Sequence, residues 1–276
     1  MKILLSGASG QLGRSLQTAL SNHAVTALVR GQLDIANLQE VREALSAHSP
    51  DLVVNAAAFN EVDKAQTDED AAYRANALGP RNLALAAAER GSRLLHVSSD
   101  YVFDGTRRAP YHEYCPPGPI SVYGRSKLAG EDAVRDALDR HYVVRTAWLY
   151  HVHGRNFPNT ILALGRKGPV RVVNDQRGSP TYAPHLAAGI ARLIETGAYG
   201  TYHLAGLGGA SWFELAEALF AKAGIGNPVL PVPASEFPRP APRPSYSVLA
   251  TIQDPRILLP PWEEGIEAFV REAGIG

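Results

Sequence analysis

Three side chains of this sequence have the types and spacing that protonation of a carbonyl oxygen requires. Ser99 follows an apolar run, and Tyr123 and Lys127 stand four positions apart. Residues four apart on a helix share a face, so the phenol and the ammonium group would point the same way. Reducing a ketone needs a hydride on carbon and a proton on oxygen, and in this interpretation Tyr123 gives the proton.

Each of the three side chains has an expected task. A free phenol has a pKa of about 10, and a nearby ammonium group stabilises the phenolate, so we expect Lys127 to lower the pKa of Tyr123. Because the hydride would come from a nicotinamide cofactor, Lys127 would also hold the ribose of that cofactor. Ser99 would hydrogen-bond the carbonyl oxygen as it gains charge. A Tyr/Lys pair of this spacing taken alone indicates a plain surface helix more often than a catalytic group, so the interpretation depends on the rest of the chain.

A glycine-rich turn near the N-terminus predicts where a dinucleotide would bind. It lies between an apolar run at residues 2–5 and an amphipathic stretch that begins at Gln11. Glycine permits a tight turn, and a helix N-terminus adds partial positive charge for a pyrophosphate. Because of this position, the pattern is stronger evidence for dinucleotide binding than a lone glycine triplet would be. The expected contacts are Gly7, Ser9, Gly10, Gln11, Leu12 and Gly13.

The residue after the second apolar run bears on the choice of cofactor. An acidic residue there would bind the ribose hydroxyls of NAD. Arg30 stands there instead, and the next acid is Asp34. A guanidinium suits a 2′-phosphate, so NADPH is the expected cofactor, with NADH left open. The alternative is that Arg30 is an ordinary solvated surface residue.

The elements that would position these groups alternate along the first half of the chain. We predict strands at residues 2–5, 24–29, 52–55, 93–98 and 142–146. Helices are predicted at residues 11–20, 37–48, 68–90 (with a bend near Gly79-Pro80) and 121–136. This alternation predicts an α/β fold with a doubly wound parallel sheet, the Rossmann arrangement. Ser99 then lies at the carboxyl end of a strand, where ligands of such folds bind.

The second half has a looser pattern and predicts a smaller C-terminal substrate-binding lobe. Its helices are predicted at residues 157–165, 184–196, 212–223 (with a capping box from Ser211 and Glu214) and 261–272. Seven prolines between residues 228 and 244 exclude a regular helix and predict a loop. We expect this loop, with Arg239 and Arg243, to close over a diphosphate. The predicted division is a dinucleotide-binding core at 1–150, to which later segments return, and a lobe at 151–276.

Composition narrows the location and the partners. The 27 basic and 27 acidic residues give a formal net charge of zero, so nothing attracts the chain generally to nucleic acid or to an anionic membrane. The chain has one cysteine, so it cannot form a disulfide within itself, which fits a reducing cytoplasm. No secretory signal is visible, and no apolar stretch approaches the roughly 20 residues of a membrane helix. We therefore expect a cytoplasmic protein that binds neither nucleic acid nor membranes.

Longer motifs extend over nearly the whole chain. Residues 98–105 read Ser-Ser-Asp-Tyr-Val-Phe-Asp-Gly. Further motifs are found at residues 7–13, 54–59, 62–65, 123–131, 145–148, 156–157, 175–181, 243–249 and 259–263. Together they resemble the dTDP-4-dehydrorhamnose reductase family of extended short-chain dehydrogenases. The stretch at 98–105 is specific to this family and its closest relatives, whereas the glycine loop and the Tyr/Lys pair belong to the wider superfamily.

The resemblance implies the reduction of dTDP-4-dehydro-rhamnose, a nucleotide-linked 6-deoxysugar, to dTDP-rhamnose with NADPH or NADH. It implies that Ser99, Tyr123 and Lys127 are catalytic. The implied further contacts to the sugar nucleotide are Asp100, Tyr101, Val102, Trp148 and Asn156. The implied lining of the dinucleotide site is Asp34, Ile35, Ala56, Ala57 and Ala58.

The chain departs from the family pattern at three places. Some members have a glutamate after the third glycine that helps bind a metal at a dimer interface, and Ser15 stands there in this chain. The acid that some members carry after Pro180-Thr181 is also missing. We therefore predict no metal site and no metal-bridged dimer, which leaves monomer and homodimer open. Asn60 stands where threonine is common, which would alter the sugar contacts.

Two other functions remain as alternatives. The first is a sugar-nucleotide epimerase or dehydratase. Dehydratases of this superfamily usually carry Asp-Glu after the hydroxyl of the fourth strand, whereas this chain has Asp100-Tyr101. The second is a non-catalytic regulatory subunit that binds NADP. Such a subunit could lose the Tyr/Lys pair, but Tyr123 and Lys127 are both present.

Overall fold

The computed structural model describes residues 1–275, and residue 276, the predicted end of the C-terminal lobe, lies outside this range. The strands are β1 (Lys2–Ser6), β2 (Ala24–Leu28), β3 (Leu52–Asn55), β4 (Arg93–Ser99), β5 (His141–Thr146), β6 (Leu149–Tyr150), β7 (Val170–Val173), β8 (Arg177–Gly178), β9 (Thr181–Tyr182), β10 (Gly200–His203), β11 (Ala210–Ser211) and β12 (Val229–Val232). The α-helices are α1 (Gln11–Ala19), α2 (Leu38–His48), α3 (Val62–Ala65), α4 (Glu69–Tyr73), α5 (Gly79–Arg90), α6 (Val122–Ala137), α7 (Phe157–Gly165), α8 (Ala183–Thr196), α9 (Trp212–Lys222) and α10 (Trp262–Glu272).

A parallel sheet of six strands, in the order β10-β5-β4-β3-β1-β2, forms the centre of the molecule. Its inner strands are apolar on both faces, because helices cover both sides. Leu4 and Val53 belong to the buried cluster on one face, and Leu5 and Val54 to the cluster on the other. The predicted α/β fold with a doubly wound parallel sheet is confirmed. The strand order reverses beside β1, which marks the crevice where such folds bind ligands.

Segments from the second half return to this sheet. Strand β10 extends it by pairing in parallel with β5, and helix α8 packs against α1. Strand β10 was not predicted, because it has only four residues and begins with Gly200, which gives a weak strand pattern. A separate buried cluster includes Tyr150, Leu219 and Phe269 and forms the core of the C-terminal region.

The long helix predicted at residues 68–90 is divided. Helix α4 is followed by a π-helical turn, Arg74–Leu78, and then by α5. The irregular turn ends directly before Gly79, near the predicted bend. Pro80 has no N–H to donate to the carbonyl of Asn76, which explains a break in the regular helical pattern there. Helix α6 passes close to that carbonyl, because a Cβ on Gly130 would lie 2.0 Å from the Asn76 oxygen.

The proline-rich segment also differs in part from its prediction. Strand β12 lies within it and pairs in parallel with β7 in a two-stranded sheet. Pro231 is tolerated because such a strand has an open edge that needs no N–H donor. The remainder is irregular apart from one 3-10 turn, Ala234–Glu236. The capping box that begins α9 is confirmed, with Ser211 and Glu214 each accepting a backbone N–H from the other.

Helices in the described part of the chain are either too short or too polar to cross a membrane.

Candidate functional site

The glycine loop brings backbone to backbone at the end of β1. Gly7 has a φ of +75°, and a Cβ there would lie 2.5 Å from the nitrogen of Ala57. A Cβ on Gly13 would lie 2.2 Å from the Gly7 carbonyl oxygen, so Gly13 serves the packing of α1 on the loop. Helix α1 has no side-chain cap and no acid in its first turn. Its first N–H groups therefore suit an anion such as a pyrophosphate.

A cavity of about 580 Å³ continues from this loop along the β1–β3 crevice. Two cations line it that sequence reasoning did not identify, Lys64 and Arg74. Arg74 Nη2 lies 3.7 Å from Asp34 Oδ2, and Lys64 Nζ lies 3.6 Å from Glu61 Oε2. The predicted residues that line this cavity are Gly7, Ser9, Gly10, Arg30, Asp34, Ile35, Ala56, Ala57 and Ala58. The loop and this lining fit a dinucleotide with an additional phosphate.

A second cavity of about 430 Å³ contains the predicted catalytic group. It shares Gly10, Ala56, Ala58 and Asn60 with the first, so the two form one cleft. Its predicted lining residues are Gln11, Leu12, Ser99, Asp100, Tyr101, Tyr123, Lys127, Trp148 and Asn156. The fold thus brings together side chains from β4, α6 and the segment after β5.

Local contacts fix the catalytic helix against its neighbours. The Ser121 hydroxyl caps α6 by accepting the Gly124 N–H at 3.1 Å. The buried Asn76 amide pairs with the backbone of Phe59 at 2.8 and 3.1 Å and donates to Ser126 Oγ at 3.0 Å. Asn76 therefore ties the loop after β3 to α6. No sequence signal singled it out, because its role depends on a tertiary contact.

The phenol of Tyr123 is buried, with its oxygen 3.5 Å from Asn60 Oδ1. Burial raises its pKa to about 12, and the neighbouring Ser99 hydroxyl opposes the shift. The expected lowering of this pKa by Lys127 is therefore wrong. Lys127 Nζ donates to the Val97 carbonyl at 2.6 Å instead. Burial lowers the pKa of Lys127 to about 8, although the negative charge of Glu131 acts to raise it.

The Ser99 hydroxyl is held by its neighbours at the end of β4. It donates to Asp100 Oδ1 at 3.0 Å and accepts the Tyr101 N–H at 3.2 Å. Asp100 also accepts the Ser247 hydroxyl at 2.6 Å, and burial raises its pKa to about 6. A hydroxyl has one proton to donate. Ser99 must therefore turn its O–H away from Asp100 before it can bind a carbonyl oxygen.

Aromatic rings form one wall of the cavity. Trp148 stacks on Trp212 with ring centroids 3.5 Å apart, and Phe157 packs against Trp212 at 4.6 Å. Trp148 has a φ of 46°, which is rare for a bulky residue and typical of functional sites. Gly178 makes room, since a Cβ there would lie 2.3 Å from the indole. Trp212 was not predicted as a site residue, because only the fold brings it to Trp148.

Asn156 connects this wall with the glycine loop. Its side-chain oxygen caps α7 by accepting the Asn159 N–H at 3.0 Å. Its amide donates to Gln11 Oε1 at 2.9 Å, across the cleft. Val102, in contrast, is fully buried beside Phe103 and lines no part of the cavity, because its side chain belongs to a hydrophobic cluster.

A third cavity of about 610 Å³ adjoins the catalytic one and shares Tyr101, Phe157 and Trp212 with it. Arg239 and Arg243 of the proline-rich segment line it. Ser15, where the resemblance led us to expect no metal ligand, is buried and donates to the Gln11 carbonyl at 3.3 Å. Across residues 1–275, no three His, Cys, Asp or Glu side chains are grouped closely enough to hold a metal ion.

Comparisons with known proteins agree with this arrangement. The family described as the RmlD substrate binding domain matches residues 1–275. A dTDP-4-dehydrorhamnose reductase of Mycolicibacterium smegmatis is 41% identical over 98% of this chain and 85% of its own length. A crystal structure of a dTDP-4-dehydrorhamnose reductase from Clostridium acetobutylicum superposes with a TM-score of 0.97 at 39% identity, over all of both chains. A dTDP-4-dehydrorhamnose reductase from Bacillus anthracis, solved in complex with NADP, gives a TM-score of 0.96 at 40% identity, over 98% of this chain and 99% of that one. The chain belongs to the dTDP-4-dehydrorhamnose reductase family, as its motifs indicated.

Proposed function

We propose that this protein reduces the 4-keto group of a nucleotide-linked 6-deoxysugar, namely dTDP-4-dehydro-rhamnose, with NADPH. The observation that carries the proposal is that Ser99, Tyr123 and Lys127 line one cavity. That cavity is continuous with the one beside the glycine loop. Trp148, Phe157 and Trp212 form its aromatic wall. Relatives named dTDP-4-dehydrorhamnose reductase, one of them solved with NADP, support the choice of substrate and cofactor.

The dinucleotide would lie along the first cavity. Its pyrophosphate would meet the backbone of the glycine loop, and Arg30 would meet the 2′-phosphate. Asp34, Ile35 and Ala56 to Ala58 would line the adenosine half. The bound NADPH supplies the hydride. Lys127 would hold the nicotinamide ribose with the N–H donors that its one bond to the Val97 carbonyl leaves available.

The chain's own side chains handle the proton. Tyr123 holds a neutral phenol and donates its proton to the oxygen of the reduced carbon. Ser99 turns its O–H toward that oxygen and stabilises the developing charge. Trp148 and the neighbouring aromatic rings exclude water around the sugar. The proposed substrate contacts also include Asp100, Tyr101, Asn156 and Arg239, and Arg243 lies beside Arg239 in the lining of the third cavity.

The geometry favours a reductase over a dehydratase. A dehydratase needs a further acid or base beside the sugar. Asp100 is the one carboxyl among the described residues that line the catalytic cavity, and both of its oxygens accept serine hydroxyls in a buried position. We also propose that the protein acts in the cytoplasm, as its single cysteine suggested, and that residues 1–150 form most of the cofactor-binding core.

The test is a panel of 4-keto sugar nucleotides with NADPH or NADH, followed by cofactor oxidation. The account predicts turnover of dTDP-4-dehydro-rhamnose, with NADPH preferred. The product should have one more hydroxyl group and an unchanged dTDP moiety. Tight NADPH binding without reduction of any member of the panel would favour a regulatory subunit instead.

A further inference from the structure

The segment at residues 237–244, here called the strap, is tied to the Rossmann core at Asp63 of helix α3. Arg243 forms a two-pronged pair with Asp63, with Nη1 3.0 Å from Oδ1 and Nη2 2.9 Å from Oδ2. The backbone N–H of Ala241 also donates to Asp63 Oδ1 at 3.3 Å. Such planar, bidentate pairs fix geometry as well as adding attraction. Asp63 therefore orients the strap as well as attracting it.

The pairing occupies much of the Arg243 guanidinium within the protein. Its Nη1 makes a second bond, to the Ala241 carbonyl at 2.7 Å, so both hydrogens of that nitrogen are used. The Arg243 side chain is 20% exposed, whereas that of Arg239 is 59% exposed and its Nη1 lies 3.6 Å from Asp63 Oδ2. Arg243 is thus placed as an anchor, and Arg239 is the more accessible cation.

The strap forms one wall of the third cavity. Phe237, Pro238 and Ala241 line it opposite Phe157 and Trp212, which belong to the catalytic cavity as well. At its far end the strap rests on the backbone around Gly105, where a Cβ would lie 2.5 Å from Pro244. A change in the strap's position would therefore alter the space beside the catalytic group.

We propose that Asp63 is a positioning residue for the sugar nucleotide. Acting through Arg243, it holds the strap so that Arg239 and the strap's apolar side chains meet the nucleotide end of the substrate. The inference rests on the proposed function for the identity of that substrate. Prolines limit the strap's alternative conformations, so one ion pair is enough to select its position. In this arrangement Arg243 anchors the strap to Asp63, and Arg239 binds the diphosphate.

The first experiment separates KM from kcat. Asp63→Asn keeps the side-chain shape and removes the charge. We expect the KM for the sugar nucleotide to rise about five- to twentyfold, with kcat within about threefold, because substrate binding is affected and the chemical groups are not. The Kd for NADPH should not change. Glu89→Gln is the matched control, since it breaks a comparable pair with Arg42 on α2 and α5 and should leave all three constants unchanged.

The second experiment needs no turnover and uses dTDP as the probe. Asp63→Asn and Arg243→Lys should each weaken dTDP binding and expose the strap to protease. The double variant should be no weaker than the worse single variant, because both changes remove the same interaction. Arg239→Ala should weaken dTDP binding without exposing the strap.

The outcomes separate the inference from the proposed function. Unchanged KM and dTDP affinity in Asp63→Asn, or additive effects in the double variant, would overturn the inference. A wild-type protein that binds dTDP with the expected coupling but reduces no 4-keto sugar would overturn the proposed function alone. A wild-type protein that binds no dTDP would overturn both.

Discussion

At the residue scale, burial decides the protonation states of the catalytic group. The pKa of Tyr123 is raised to about 12, so the phenol is neutral near pH 7 and ready to donate a proton. The sequence predicts which residue types meet but not how deeply they are buried. That is why the direction of this shift was wrong in the sequence-based expectation, although Tyr123 and Lys127 do line the same cavity.

Removing the Tyr123 hydroxyl tests its assigned task. Tyr123→Phe keeps the ring, which packs edge-on against Tyr101 with centroids 5.4 Å apart. We expect kcat to fall on the order of a hundred- to ten-thousand-fold, the usual cost of losing a general acid. KM and the Kd for NADPH should change little, because the proton moves only in the transition state.

Steady-state kinetics and NADPH titration check this expectation, with Tyr114→Phe as the control. Tyr114 is 69% exposed and lies outside all the cavities that form the cleft, so its variant should behave as the wild type. Near-normal kcat in Tyr123→Phe would show that another group donates the proton.

The pKa of Lys127 predicts how activity depends on pH. Burial lowers this pKa from its ordinary value to about 8, so the ammonium group loses its proton earlier than an exposed lysine would. Since the charged form is needed to hold the ribose, kcat/KM should decline above about pH 8. Lys127→Arg keeps a charge that does not titrate in this range and should remove the decline, at a lower overall rate. A wild-type profile that stays flat to pH 10 would contradict the assignment.

At the element scale, the approach of α6 to the turn after β4 sets the geometry of the site. A Cβ on Gly124 would lie 2.2 Å from the Tyr101 carbonyl oxygen, and backbone cannot give way as a flexible side chain can. Gly124→Ala gains up to about 1 kcal/mol of helix propensity but overpacks the contact, at a cost of about 1–3 kcal/mol. We therefore expect a net loss of stability and a displaced Tyr123.

Denaturant unfolding and kcat measure the two effects. A displacement of about 1 Å in a catalytic group costs roughly a hundredfold in rate, so kcat should fall by about that factor. The control is Gly168→Ala, because a Cβ there meets nothing within 4 Å, and its stability should stay within about 0.5 kcal/mol of wild type. Equal stability and rate in both variants would mean that α6 has more freedom than the structure indicates.

Elements with strong local patterns were predictable and those defined by a partner were not. Strand β3, Leu52–Asn55, was predicted to the residue, since its first three residues are an apolar run between Asp51 and Asn55. Helix α7 was equally clear. Strand β10 and the π-helical turn at Arg74–Leu78 depend on contacts with β5 and α6, which no local pattern encodes.

At the scale of the whole molecule, the site joins segments that are far apart in sequence. The motifs predicted the glycine loop, the Ser99 strand end and the Tyr123 helix, and the parallel sheet brings these together by its topology. Two contacts could not be predicted, because they depend on how the C-terminal region folds back over the cleft. They are the Trp148–Trp212 stack and the pair of Asp63 with Arg243, which lies 180 residues further along the chain.

The proposed function depends above all on the transfer of a hydride from NADPH to C4 of the sugar in this cleft. The most direct measurement uses NADPH deuterated at the transferable position of the nicotinamide, with dTDP-4-dehydro-rhamnose as the acceptor. The account predicts that the isolated dTDP-sugar gains one deuterium, located at C4 by NMR, with one NADP formed per sugar reduced. A product without the label, or a label at another carbon, would contradict it.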